Sequence, residues 1–144
     1  ATRIKEYYYN GREKAVQRTD EDYCDSVAEL AKGYNIRQVI VDPSAASFIA
    51  ALRQRGFTIR KANNDVLDGI RRTAVYLKNG NIKIHRSCVD CIAEFGLYRW
   101  DDKAIADTVI KENDHAMDDI RYFANTIMKN KVGKATSNYT PIFM

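Results

Sequence analysis

The sequence predicts an α/β fold, and three observations carry that prediction. Gln38-Val-Ile-Val-Asp42 is a short β-branched run ending in an acid, the pattern of a strand covered on both faces. Segments of strand character alternate with amphipathic helical segments, which calls for right-handed crossovers onto a central sheet flanked by helices. Turn signals at Asn10-Gly11, Gly33, Pro43, Gly56 and Asn79-Gly80 punctuate the alternation.

Each element follows from local chemistry. Arg3 to Tyr9 is rich in β-formers and runs into the Asn10-Gly11 turn, so it reads as a strand. Thr19 and Asp22 stand at capping-box spacing and open a helix whose stripe is Tyr23, Val27, Leu30, Ala31 and Tyr34, with Gly33 at its end. After the Gln38–Asp42 strand, Ser44 is expected to cap a helix that turns Phe48, Ile49 and Leu52 inward and stops at Gly56. Phe57 to Arg60 reads as a strand. Asp65 caps a helix bearing Leu67, Ile70, Ala74 and Leu77, and Ile82 to His85 is a further strand. A short helix covers Cys88 to Glu94, and a strand covers Leu97 to Trp100 and turns at Asp101-Asp102. Residues 104 to 112 carry no clear period. Asp114 caps a final helix whose buried stripe is Met117, Ile120, Ala124 and Ile127.

At 144 residues the chain fits one domain, and its 45% apolar and 29% charged content is that of a globular protein. No apolar run approaches the roughly 20 residues that span a bilayer. Ala1 to Asn10 lacks the apolar stretch of a secretory signal and opens directly in strand-like sequence, as expected of a segment cut from a longer chain. No Gly-x-x-x-x-Gly-Lys-Ser/Thr loop occurs, which excludes a complete phosphate-loop motor within these residues. The net charge of +4 permits nucleic-acid binding without demanding it. Arg53, Arg55, Arg60, Lys61, Arg71 and Arg72 cluster in the middle, and Lys129, Lys131 and Lys134 fall in a terminal stretch without acids. Charge alone favours a solvated face and a solubilising tail. Three cysteines argue against a disulfide-stapled module. Cys88-Val-Asp-Cys91 has the spacing of half a zinc site or a redox pair, with His85 as a third ligand at most. Helical spacing with Ile92 and Phe95 makes packing the better reading.

Two places carry acids in telling positions. Asp42 ends a buried strand, the edge at which open α/β sheets bind ligands, although an Asp-Pro pair also simply turns the chain. On the last helix His115 neighbours Asp118 and Asp119, three and four residues on. Acids in a first turn complement the helix dipole, which explains Asp114, but like charges this dense repel unless a cation intervenes. A strand-end aspartate facing helix-borne aspartates is the arrangement that Mg2+ or Mn2+ requires, because hard cations take carboxylate oxygens and keep several waters. Two such ions about 4 Å apart activate a water and stabilise the leaving oxygen in phosphodiester hydrolysis, and a histidine alongside is suited to relay the proton.

Val41-Asp-Pro-Ser-Ala45, Ala62-Asn-Asn-Asp-Val-Leu-Asp-Gly-Ile70 and Asn113-Asp-His-Ala-Met-Asp-Asp-Ile-Arg-Tyr122 together resemble the C-terminal nuclease domain of tailed-phage terminase large subunits. Glu6-Tyr-Tyr-Tyr-Asn-Gly-Arg12 and Thr19-Asp-Glu-Asp-Tyr23 resemble the same family, so the likeness extends to about residue 128. It implies an RNase H-like mixed central sheet flanked by helices over residues 1–128, with its first strands missing, and a basic tail over 129–144. The implied activity is metal-dependent endonucleolytic cleavage of concatemeric viral DNA during packaging, with Mg2+ or Mn2+, two ions in the complete domain, in the host cytoplasm. The family's strand aspartate falls on Asp42, its final-helix aspartate on Asp118 and its histidine on His115; Asp119 matches no ligand. Asn64, Asp65, Asp68 and Gly69 match a recurrent segment read as a helix start near DNA, and Arg60, Lys61, Asn64, Arg71 and Arg72 are the expected DNA contacts.

The implied partners are double-stranded DNA, the terminase small subunit and the portal protein. One departure stands out: RNase H-like nucleases carry another aspartate on their first strand, and here Arg3 to Tyr9 offers only Glu6. The expectation is therefore weak metal binding and weak cleavage by this segment alone, with an open sheet edge inviting self-association. A resolvase- or integrase-like nuclease and a non-catalytic docking or DNA-binding module are the competing readings.

Overall fold

A computed structural model describes residues 1–9, 16–97 and 115–129. The order is β1 (Thr2–Arg3), α1 (Asp20–Ala31), β2 (Val39–Val41), α2 (Ala46–Gln54), β3 (Ile59–Lys61), α3 (Leu67–Lys78), β4 (Lys83–Ile84), α4 (Val89–Leu97) and α5 (His115–Phe123), which continues as a π turn over Ala124–Met128. Strand and helix alternate as the sequence predicts. Among the described residues the strands form two parallel pairs, β1 with β4 and β2 with β3, rather than one mixed sheet.

β2 holds the centre because its three side chains serve two cores. Val39 and Val41 pack with Cys24, Val27, Ile49 and Leu52 beneath α1 and α2. Ile40 points the other way, into a larger cluster with Tyr76, Ile82, Cys88, Cys91, Ile120 and Phe123. All three strand residues are buried, which is why the run shows no polar alternation. The capping box of α1 is complete: Thr19 Oγ1 accepts from the Asp22 amide, and an Asp22 carboxylate oxygen accepts from the Thr19 amide. Gly33, Gly56 and Gly80 follow their helices with φ of 83°, 86° and 69°, a region that only glycine enters without strain.

Several expectations change. The first strand is two residues long, not seven: β4 offers two partners, and beyond Ile4 the chain turns its tyrosines against side chains instead of a ladder. Ser44 does not cap α2, whose N-cap is Ala45 without a side-chain bond; the Ser44 hydroxyl and amide both turn back to Asp42. On α3 Gly69 and Tyr76 are the buried residues and Leu77 packs against the same core, whereas Leu67 and Ala74 are exposed; α5 packs directly over Gly69. Leu97 closes α4 instead of opening a strand. The Asn10-Gly11 turn, the strand over 98–100, residues 104–112, the Asp114 cap and the tail beyond 129 lie outside the described residues.

Cys88 and Cys91 are fully buried, as packing residues are. Burial pushes the Cys91 thiol up to about 12 and raises Cys88 as well, the opposite of what a thiolate ligand or redox pair requires.

Candidate active site

The site is built where the end of β2 meets α5. Asp42 is the first residue past the strand, and the Asp-Pro-Ser turn folds back on it: Ser44 N and Oγ donate to its Oδ1 at 2.8 and 2.6 Å. Its other oxygen accepts the Tyr122 hydroxyl of α5 at 2.5 Å. The Ser44 hydroxyl first, and the Tyr122 hydroxyl after it, hold Asp42 below the usual carboxylate range, so it is an anion at neutral pH. Burial and the bond to Asp42 raise Tyr122 in turn, keeping it a donor.

Asp42 lines a cleft of roughly 440 Å³ that also receives His115, Asp20, Arg3 and Asp119, with Tyr7, Tyr8, Tyr9, Tyr23 and Phe48 forming an aromatic wall. His115 is exposed and lies beside Tyr8, with ring centroids 6.3 Å apart. Asp118 is outside this lining. It is ion-paired with Arg121 at 2.8 Å, and its charge reaches Tyr122, while the charge of Arg121 reaches Asp42. Asp42 and Asp118 are thus joined through the adjacent pair Arg121 and Tyr122.

The two remaining motif segments interlock. Buried Arg121 donates from one nitrogen to the carbonyls of Asn64 and Asp65 at 2.9 and 3.0 Å, and Asn125 donates to the Asp65 carbonyl at 3.1 Å. Gly69 makes this possible: a Cβ there would lie 2.6 Å from Arg121 Cγ and 2.8 Å from Asn125 Nδ2. Asp65 accepts from the Asp68 amide and starts α3. The carbonyls of Asn64 and Asp65 thus form a shelf for Arg121. Of the expected DNA contacts, Arg60, Lys61, Asn64 and Arg71 are exposed, whereas Arg72 is half-buried with its Nε donating to Asn125.

Three acids in or near the cleft have roles that the sequence did not reveal. Asp119 is ion-paired with fully buried Arg3 at 2.5 Å; burial pushes its carboxyl up to about 7 while Arg3 opposes the rise. Glu94 accepts from the Ala116 and Met117 amides at 2.7 and 3.0 Å, capping α5 from α4, and takes the Tyr8 hydroxyl at 2.8 Å. Glu6 accepts from the Asp90 and Cys91 amides and caps α4 in the same way. Their signal was a set of acids within apolar stripes, which helical spacing alone does not separate from solvated ones.

Ionised Asp42 and the carboxylate of Asp118 have the hard-oxygen chemistry that suits Mg2+, which binds through one or two carboxylates plus water and substrate oxygens. Among the described residues no group of three His, Cys, Asp or Glu side chains is clustered for a metal ion.

An α/β chain with an ionised aspartate at a strand end, tied to a helix that carries further acids, is the class that fold and cleft define. Comparison is more specific, although no family model matches the chain. It is 24% identical over 132 residues to the terminase large subunit of Escherichia phage T5, covering 87% of this chain and 30% of that protein. It is 43% identical, with a TM-score of 0.86, to the large terminase of the thermophilic bacteriophage D6E solved with ADP, over 89% of this chain and 33% of that one. The ATP-γ-S complex of the same terminase gives 44% identity and a TM-score of 0.85, over 88% and 34%. The chain is homologous to part of the terminase large subunit and spans about a third of the length of these relatives.

Proposed function

We propose that the chain is the nuclease part of a phage DNA-packaging terminase, with an RNase H-like fold, cleaving concatemeric double-stranded DNA by phosphodiester hydrolysis with Mg2+ or Mn2+. The observation that carries this reading is the bond from Tyr122 to Asp42, which ties the strand-end acid to the helix bearing His115 and Asp118. In this reading Asp42 and Asp118 would hold the metal, whose chemistry there would be to activate a water and stabilise the leaving oxygen. Ser44 and Tyr122 keep Asp42 ionised and aimed, leaving carboxylate lone pairs for a cation. Arg121 fixes Asp118 to the Asn64–Asp65 shelf, so the second carboxylate does not swing freely. His115, which lines the cleft and is exposed, would pass a proton between the reacting groups and solvent. DNA is held through its phosphates by the exposed cations, so binding weakens steeply with salt.

Nicking of supercoiled plasmid with Mn2+ tests the reading. Asp42→Asn and Asp118→Asn are each expected to lower the rate at least about a hundredfold while leaving DNA binding in Ca2+ intact, since removing a group that stabilises the transition state costs on that order. Undiminished cleavage by both variants overturns it.

A further inference from the structure

A second hollow, of roughly 300 Å³, shares no lining residue with the Asp42 cleft. It opens between the end of β3 and the π turn. Arg60, Lys61 and Lys129 bring three exposed cations to it, and Asn63 and Thr126 contribute polar groups. Among the described residues no carboxylate lines it. We infer that this hollow is a seat for one phosphate group. Resting on the DNA reading above, the occupant is a backbone phosphate, gripped at a point separate from the acidic cleft.

The π turn builds the seat. Successive side chains of a regular α-helix diverge by about 100°, so adjacent residues seldom serve the same neighbour. Over Ala124–Met128 adjacent Asn125 and Thr126 nevertheless both bond the 63–72 region. Asn125 accepts from Arg72 Nε and donates to the Asp65 carbonyl. Thr126 is 8% exposed and its oxygen accepts from the Asn63 amide at 2.9 Å, which leaves its O–H to donate into the hollow. A buried hydroxyl donor beneath three cations suits a tetrahedral anion: ammonium and guanidinium groups answer its charge, and the hydroxyl fixes one oxygen. π turns of this kind concentrate at functional sites. Asp20 and Asp42 line the cleft and repel phosphate, so a cationic anchor elsewhere on the duplex offsets that repulsion.

The test is fluorescence anisotropy with a 20-base-pair duplex across a salt series in Ca2+, on wild type, Lys61→Gln/Lys129→Gln and the near-isosteric Thr126→Val. The lysine pair is expected to weaken binding at 0.1 M salt at least about tenfold and to flatten the log–log salt slope by about 0.9 for each phosphate no longer neutralised. Thr126→Val is expected to weaken binding with the slope unchanged, because it removes a hydrogen bond and no charge. Wild-type affinity and slope in the lysine pair, with wild type binding DNA, overturn the seat and leave the nuclease reading standing. If wild type binds no DNA, the DNA reading fails instead, and titration with inorganic phosphate then decides the seat. Amide shifts at Asn63 and Thr126 that vanish in the lysine pair uphold a site for free phosphate, and their absence refutes it.

Discussion

The cores on either side of β2 are built of different materials. The Val39 and Val41 side, under α1 and α2, is apolar throughout. The Ile40 side, around α5, is threaded by Arg3, Glu94, Asp119, Arg121, Asn125 and Thr126, the buried polar and charged residues of the described structure. Each of these is bonded across elements: Arg3 to Asp119, Glu94 to the α5 amides, Arg121 and Asn125 to the Asp65 carbonyl, and Thr126 to the Asn63 amide. An apolar core holds the fold through area removed from water and tolerates small displacements. A buried polar network demands one geometry, because every broken bond leaves a desolvated group. The first half serves mainly stability, and the second serves the placement of Asp42, His115 and Asp118.

The largest expected effect lies in the polar half. Asp119→Ala takes the nearer carboxylate from buried Arg3, leaving Glu6 at 3.7 Å, and is expected to cost about 3–5 kcal/mol in urea unfolding. Arg3→Met combined with Asp119→Leu is expected to recover most of that loss, since the pair's value is placement more than stability; no recovery would break the distinction. On the apolar side Leu52→Ala empties a fully buried position and should cost about 2–5 kcal/mol, while plasmid nicking per folded molecule stays at the wild-type rate. Gly69→Ala forces Arg121 to shift and should cost about 1–3 kcal/mol, with nicking falling further than the loss of folded protein explains.

The smallest effect concerns the charge of Asp42. Tyr122→Phe removes one of the bonds that hold this carboxyl low, so its native titration, read by carboxyl NMR, moves up. A carboxyl held lower in the native state than in the unfolded one stabilises the fold above its unfolded value, and that contribution is lost as pH falls through the native value. The stability gap between wild type and Tyr122→Phe should therefore be present at neutral pH and close in acid.

Legibility followed the range of the interaction. The Thr19–Asp22 box, the glycine stops and the doubly covered strand rest on neighbours a few residues apart, and each was readable from spacing. Asp42 stood out because an acid ends an apolar run. The roles of Glu6, Glu94 and Asp119 were not readable, since their partners lie 22 to 116 positions away, on other elements. Ser44 was misplaced because a hydroxyl two residues past an aspartate satisfies either a helix end or that aspartate, and local spacing does not distinguish them.

By itself, then, the sequence determined the α/β alternation, the capping box that opens α1, the glycine stops and which acids stand at a strand end and on the last helix, because backbone preference and periodicity act over one or two turns. The tertiary structure alone decided that α5 approaches α3 across Gly69, that Arg121 and Tyr122 link Asp118 to Asp42, and that Asp119 is buried against Arg3. These depend on which surfaces meet, and desolvation and hydrogen-bond geometry are properties of the meeting surfaces rather than of either segment.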